Sequence, residues 1–231
     1  MFELSANDYQ AIWLSAKVAT LATLLALPAG FAVAAVLVFV RLPGKALLEG
    51  LINLPLVLPP VVVGYLLLML LGDGSPLGDL LKALDIRVIF TWKAAVLAAL
   101  VVGFPLLVRS LRIGMESIDK NLLAAARTLG APWHDLLFTI ILPLSRRSML
   151  AGATLMFARG LGEFGATIMI AGNIAGTTRT IPLAIYDYTA VPGGDGQALT
   201  LCLVAIVLSL AVLLVSEGIG DRRRIETEKS S

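Results

Sequence analysis

At 231 residues, 58% of them hydrophobic and only 15% charged, the chain has a composition suited to lipid rather than water. Its mean hydropathy of +0.91 excludes an ordinary soluble domain of this length. The net charge of +2 gives no reason to expect a nucleic-acid partner, because the basic residues gather at the ends of apolar runs. A single cysteine, Cys202, excludes a disulfide framework, and a single histidine, His134, without a Cys/His cluster speaks against a metal site. Strand alternation is absent, so helices must satisfy the backbone in lipid and an all-α integral membrane protein is expected.

Val18 to Val40 carries no charge, and with Tyr9 to Lys17 ahead of it the first span is read as about residues 10–40. Such a helix is roughly 45 Å long at 1.5 Å per residue, so it must tilt or project from the bilayer. Pro28 is a candidate kink. Glu3 and Asp8 precede the first basic residue, Lys17, which is the wrong start for a cleaved signal peptide, so this span is expected to stay. Arg41, Pro43, Gly44 and Lys45 form a basic turn. The second span, about 47–71, holds Pro55, Pro59 and Pro60. Three prolines so close together cannot sit in a regular lipid-facing helix, so this span is expected to be bent or broken and buried against protein. Residues 72–91 read as a loop with a short surface helix. A third span covers about 92–113, with Trp92 and Lys93 at one interface and Arg109 and Arg112 snorkelling at the other. After the polar segment 116–143, a fourth span covers about 145–170. A Gly-, Thr- and Pro-rich loop with a short helix near 182–189 follows, then a fifth span at about 198–219. The tail carries Arg222, Arg223 and Arg224 facing lipid headgroups.

Five spans form a single transmembrane domain, 1–231, with termini on opposite sides. One side collects Arg41, Lys45, Arg109, Arg112, Lys120, Arg127, Arg146, Arg147, the three tail arginines and Lys229. The other collects Lys82, Arg87, Lys93 and Arg179. The positive-inside rule then places the N-terminus outside and the C-terminus in the cytoplasm.

The segment from Glu116 to Pro143 is too polar for lipid and too regular for a loose loop. Ser117 or Asp119 can cap a helix in which Leu122, Ala126 and Leu129 share a face. Gly130 suits the position after a helix end, and Pro132 is placed to open a second helix striped with Trp133, Leu136, Leu137 and Ile140. The pair is either an amphipathic hairpin lying on the bilayer or a docking element for a soluble partner.

No enzyme signature is present, and no catalytic residue is assigned. A phosphate-binding G-x-x-x-x-G-K-[ST] loop is missing, so any ATPase that powers this chain lies on another one. The fourth span is unusual in carrying Arg159 and Glu163, about 15 Å and 21 Å deep in a hydrocarbon core about 30 Å thick. A charge there costs at least about 2.5–3.5 kcal/mol, so both should face protein or water. Arg159, Glu163 and Thr167 are spaced to share one helix face, beside a small-residue row of Ala158, Gly162 and Ala166. Two readings fit. The polar stripe lines a translocation path, where an anion gives Arg159 and Arg179 a reason to exist, or the Arg–Glu pair fastens the span to its neighbours. Pro59 and Pro60 likewise fit either an unwound gate or a packing kink.

The segment resembles the EAA loop of ABC importer permeases, whose pattern is EAA-x3-G-x9-I-x-L-P. Gly130 and the run Ile140-Ile141-Leu142-Pro143 fit without a gap, while Ala124-Ala125-Ala126 departs by having alanine first where the pattern has glutamate. LPLVLPPVVVGYLLL, AARTLGAPW, ARGLGEFGATI and TRTIPLAIY extend the resemblance to molybdate ABC importer permeases along nearly the whole chain. The GEFGA-type stretch is shared more loosely with sulfate and tungstate permeases. The resemblance implies a type I, MetI-like permease fold in a bacterial inner membrane, with residues 120–133 as a cytoplasmic coupling helix. Ala124, Ala125, Ala126, Gly130, Ile140, Leu142 and Pro143 would form the ATPase-coupling set. It also implies a second copy of this chain, two cytosolic ATP-binding subunits and an extracytoplasmic oxyanion-binding protein. ATP and Mg would be held on the partner subunit and no cofactor on this one. Transport would proceed by alternating access. A stand-alone channel or secondary transporter is the alternative of a different class.

Overall fold

The computed structural model describes the backbone of residues 4–229 and side chains through Ser216. The side chains of Arg222, Arg223, Arg224 and Lys229, counted above towards the basic side, lie outside the described residues. Among the described residues there is no strand. The helices in chain order are α1 (Ala6–Phe39), α2 (Lys45–Val57), α3 (Pro60–Leu71), α4 (Pro76–Ala83), α5 (Trp92–Glu116), α6 (Lys120–Thr128) and α7 (Trp133–Asp135). A π-helical stretch (Leu136–Ile141) leads into α8 (Leu142–Leu144), α9 (Arg146–Leu161), α10 (Gly165–Ala171), α11 (Ile181–Thr189) and α12 (Asp195–Lys229). Three of them are long and apolar enough to cross a membrane: α1, α5, and α12 over Asp195–Ser216. The number is five if Lys45–Val57 with Pro60–Leu71, and Trp133–Leu144 with Arg146–Leu161, each count as one bent span.

The core is the contact of α1, α5 and α9, and it is built from small residues. Ala19, Ala22, Ala26 and Ala34 of α1 and Ala94, Ala95, Ala98 and Ala99 of α5 are all essentially inaccessible. A Cβ on Gly30 would lie 2.9 Å from Leu107, and one on Gly103 would lie 2.9 Å from Met156. Lipid tails are as apolar as leucine, so helices in a membrane gain little from hiding apolar surface from their surroundings. Close backbone approach, with many dispersion contacts, is what holds them. The row that does this on α9 is Gly152, Met156 and Gly160. Gly152 packs on Ser110 and Leu107, and Gly160 packs on Ala19 and Ala99. The row expected from sequence, Ala158, Gly162 and Ala166, is not a shared contact face. Gly162 has nothing within 4 Å of where a Cβ would stand, and Ala166 belongs to a different helix.

The second span is broken as the prolines require, with the axes of α2 and α3 at 113°. Leu58 and Pro59 each precede a proline, which bars the helical region for both. They adopt ψ of 143° and 133°, and Pro60 opens α3 at a position where its missing N–H costs nothing. The expectation that this span is buried against protein is corrected for its first half: α2 has no buried residue in the single chain. The break turns α2 away from the core, and the polar tie it makes to the bundle is Glu49 on α2 to Arg112 on α5, at 2.8 Å.

The fourth span, expected as one helix over 145–170, is two. α9 ends at Leu161 and α10 begins at Gly165. Gly160, Gly162 and Gly165 weaken helical preference here. The carboxylate of Glu163 also offers the N–H of Ala166 an acceptor outside the helical ladder, at 2.7 Å.

Candidate functional site

The two broken spans meet. A Cβ on Gly165 would lie 2.9 Å from Cβ of Pro60, and one on Gly64 would lie 2.6 Å from the carbonyl oxygen of Ala166. The first turns of α3 and α10 are therefore in backbone contact, and only glycine allows it. Pro60 is a helix-contact residue at this junction. Pro59, one position earlier, is exposed.

Arg159 and Glu163 lie beside the junction. Arg159 occupies the last turn of α9 and Glu163 sits on the break, with Nη1 of Arg159 2.8 Å from Oε2 of Glu163. The other carboxylate oxygen accepts from Ala166 N–H at the start of α10. Glu163 thus ties the end of one helix to the start of the next. Glu163 is 2% exposed and the Arg159 side chain 30%. Thr167 does not complete a stripe with them. The chain is not helical between the two segments, and Thr167 is 1% exposed inside α10. Arg179, given a possible anion role by sequence, is already engaged: Nη2 is 2.6 Å from Asp187 Oδ2, and Nε donates to Asn173 Oδ1 at 3.0 Å.

The segment 116–143 is two elements with a sharp turn. Asp119 caps α6 by accepting from Asn121 N–H at 2.8 Å. Gly130 follows the helix with φ of +83°, a left-handed conformation that terminates α6 through Gly130 N–H to Arg127 O and Ala131 N–H to Ala126 O. Not one residue of α6 is buried: Ala124 and Ala125 are exposed, Ala126 is half-buried, and Leu122 and Leu129 expose apolar surface. The second element differs from the expected regular helix. After one turn it widens into the π-helical stretch, with Leu142 N–H donating to Leu137 O. Leu136 and Ile141 are its buried residues, while Ile140, Leu142 and Pro143 are half-buried. Trp133 packs edge-on against Phe39 at 5.6 Å and lies beneath the Arg127 guanidinium. A cavity of about 880 Å³ separates α6 from the ends of α1 and α5, with Arg41, Glu116, Lys120 and Arg127 around it.

Sequence reasoning missed a polar network on 173–188. Besides the Arg179 contacts, Asn173 donates to Asp187 Oδ1 at 2.6 Å and Tyr188 OH donates to Asp8 Oδ1 at 2.9 Å. Ile181 N–H donates to the buried Ser15 hydroxyl at 2.8 Å. The Ser5 hydroxyl lowers the Tyr188 pKa, but burial and the Asp8 carboxylate together hold it above the usual phenol value. The available signal was charge: Asp8, Arg179 and Asp187 are isolated ionisable residues in apolar or turn-rich sequence. Lys17, read as lying within a span, stacks its ammonium 3.9 Å from the centre of the Trp92 ring.

These features are those of a known architecture. The family model for the binding-protein-dependent transport system inner membrane component matches residues 26–224. The chain is 48% identical over 228 residues to the molybdenum transport system permease protein ModB of Escherichia coli (strain K12), covering 98% of each. It is 50% identical over 216 residues to the protein of the same name from Haemophilus influenzae, covering 93% of this chain and 94% of that one. Among solved structures it resembles a chain of the bacterial alginate ABC transporter in complex with alginate pentasaccharide-bound periplasmic protein. That likeness has a TM-score of 0.74 at 16% identity, over 94% of this chain and 80% of that one, and speaks for the fold alone. With broken spans, an exposed helix ahead of the fourth span and a family match over most of its length, the chain belongs to the binding-protein-dependent transport system inner membrane components.

Proposed function

We propose that this chain is the membrane-spanning permease of an ATP-driven importer that carries molybdate across the bacterial inner membrane by alternating access. The observation that carries this reading is near end-to-end similarity, at about half identity, to permeases named for molybdenum transport. In this reading two copies pair, two cytosolic subunits bind and hydrolyse ATP with Mg, and an extracytoplasmic protein delivers the oxyanion. The N-terminus is outside, and α6 and the C-terminus are cytoplasmic. α6 seats in the ATPase, with Ala124, Ala125, Ala126 and Gly130 at the contact. Ile140, Leu142 and Pro143 link that contact to α9. The exposed face of α6, which includes Ala124 and Ala125, supports a partner there, and its alanine at 124 means the contact forms without a carboxylate at that position. Arg159, charged and part-exposed beside the junction of two broken spans, is the candidate to meet an anion in transit.

The test is the ATPase activity of the purified complex in lipid, with binding protein loaded with molybdate, tungstate or sulfate. Stimulation by the molybdate-loaded protein, with uptake that requires ATP, is expected. Stimulation only by the sulfate- or tungstate-loaded protein would reassign the cargo. Uptake that follows an ion gradient without ATP would make the chain a stand-alone transporter.

A further inference from the structure

Glu163 is an imperfect partner for Arg159. Oε2 lies 2.8 Å from Arg159 Nη1, yet it receives no aligned hydrogen bond, so the contact is a charge pair rather than a directed one. The carboxylate is fixed from its other side, where Oε1 takes the Ala166 N–H at 2.7 Å, and it cannot turn to meet the guanidinium better without releasing α10. Glu163 is buried, whereas Arg159 keeps part of its surface open. Leu155, one turn earlier on the same face of α9, is 47% exposed, so this face is uncovered in the single chain. A guanidinium carries five N–H donors in a planar fork, and one oxygen of Glu163 leaves most of them unused.

We infer that Glu163 sets how tightly the permease holds its oxyanion, by competing with it for Arg159. This rests on the reading above that the cargo is an oxyanion in transit past Arg159. An arginine at low dielectric without a counter-charge would hold a dianion too well. A translocation site must bind strongly enough to admit an ion and weakly enough to release it. Glu163 supplies a permanent internal competitor. Its negative charge opposes an anion at the same guanidinium, and its misaligned contact lets the oxyanion take the guanidinium from it. Its anchorage to Ala166 holds it in place meanwhile, ready to reclaim Arg159. Glu163 is therefore a positioning residue with an electrostatic task as well as a mechanical one.

Glu163→Gln separates the two tasks. The amide oxygen still accepts from Ala166 N–H, while the charge is gone. Glu163→Ala removes both. The probe is radiolabelled molybdate, measured by equilibrium binding to the permease–ATPase complex in lipid nanodiscs without binding protein, alongside uptake turnover in proteoliposomes. Glu163→Gln should bind molybdate on the order of tenfold more tightly than the unaltered complex, the scale on which one adjacent charge shifts an ionic equilibrium. Its maximal uptake rate should fall and its melting temperature should stay close to that of the unaltered complex. Adding Arg159→Gln to Glu163→Gln should abolish the extra binding, and Glu163→Ala should show a lowered melting temperature. Binding by Glu163→Gln no tighter than by the unaltered complex, or extra binding that survives loss of Arg159, overturns the inference while leaving the importer reading intact. An unaltered complex that moves no oxyanion with any loaded binding protein overturns the importer reading, and this inference with it.

Discussion

Replacing Gly130 isolates one physical term. Its φ of +83° lies in the left-handed region, and nothing stands within 4 Å of where a Cβ would go. A substitution there meets no steric clash, so its whole cost is backbone conformation. An L-residue in that region pays roughly 1–2 kcal/mol, asparagine least and a β-branched residue most. That is a factor of about 5–30 in the equilibrium between the ordered turn and opened forms. α6 has no fully buried residue, only Leu123 and Ala126 half-buried, to offset the loss and spans only nine residues, which is marginal for a helix in water. The loss should therefore appear as disorder of α6 and weakened ATPase docking, with the transmembrane helices unaffected. The assay is titration of the ATP-binding subunit onto nanodisc-embedded Gly130→Asn, Gly130→Ala and Gly130→Val. The affinity losses should rise in that order, from near none to about tenfold or more, with a parallel rise in ATP hydrolysed per ion moved. Equal losses for Asn and Val would refute the conformational argument. Unchanged docking and uptake in Gly130→Val would refute the assignment of α6 as the coupling helix.

Gly64→Val should lower the melting temperature in detergent, because a Cβ there falls 2.6 Å from backbone oxygen. Overpacking of this kind costs about 1–3 kcal/mol, or more where backbone must move. Gly162→Ala, whose new methyl meets nothing within 4 Å, should cost far less in the same measurement. Glu49→Gln should loosen α2, since the 2.8 Å pair with Arg112 is its charged tie to α5. Faster hydrogen exchange across α2 would show it, and an unchanged exchange rate there would refute it. Tyr188 donates to Asp8, and its folded-state pKa lies above the free value of 10.0. Its contribution should therefore be complete below about pH 10 and vanish as pH climbs through the folded value. A double-mutant cycle of Tyr188→Phe with Asp8→Asn should give the same coupling at about pH 6 and pH 9.

Where sequence carried a local rule, it located the structural event. Consecutive prolines at 59 and 60 made a break unavoidable, and Asp119 and Gly130 bounded α6, because caps and left-handed turns depend on residues within a few positions. Failures came where competition between near-equal options decided. Gly160, Gly162 and Gly165 are unremarkable in a transmembrane helix, and hydropathy does not register that Glu163 would satisfy Ala166 N–H and open the ladder. The π-helical stretch has the same composition as an α-helix and so left no mark. Arg159–Glu163 was legible from i, i+4 spacing, but Arg179–Asp187 was not, because a turn brings the two together. Nothing in the sequence marked α2 as unburied, because its apolar residues read the same whether a neighbour covers them or not.

The ties from α1 to residues 181 and 188 bear on how the protein is made. Ser15 waits for a partner 166 positions later, and Asp8 for one 180 positions later. Synthesis runs from the N-terminus, so α1 enters the membrane long before those partners exist. Until then the Ser15 hydroxyl, later 1% exposed, lacks the donor it accepts from in the finished protein. Closure of this end of the molecule is consequently a late event in biogenesis. Chains interrupted before residue 181 should keep α1 packed on α5 and α9 but leave its first turns untied, and offer the membrane's proteases an accessible first segment.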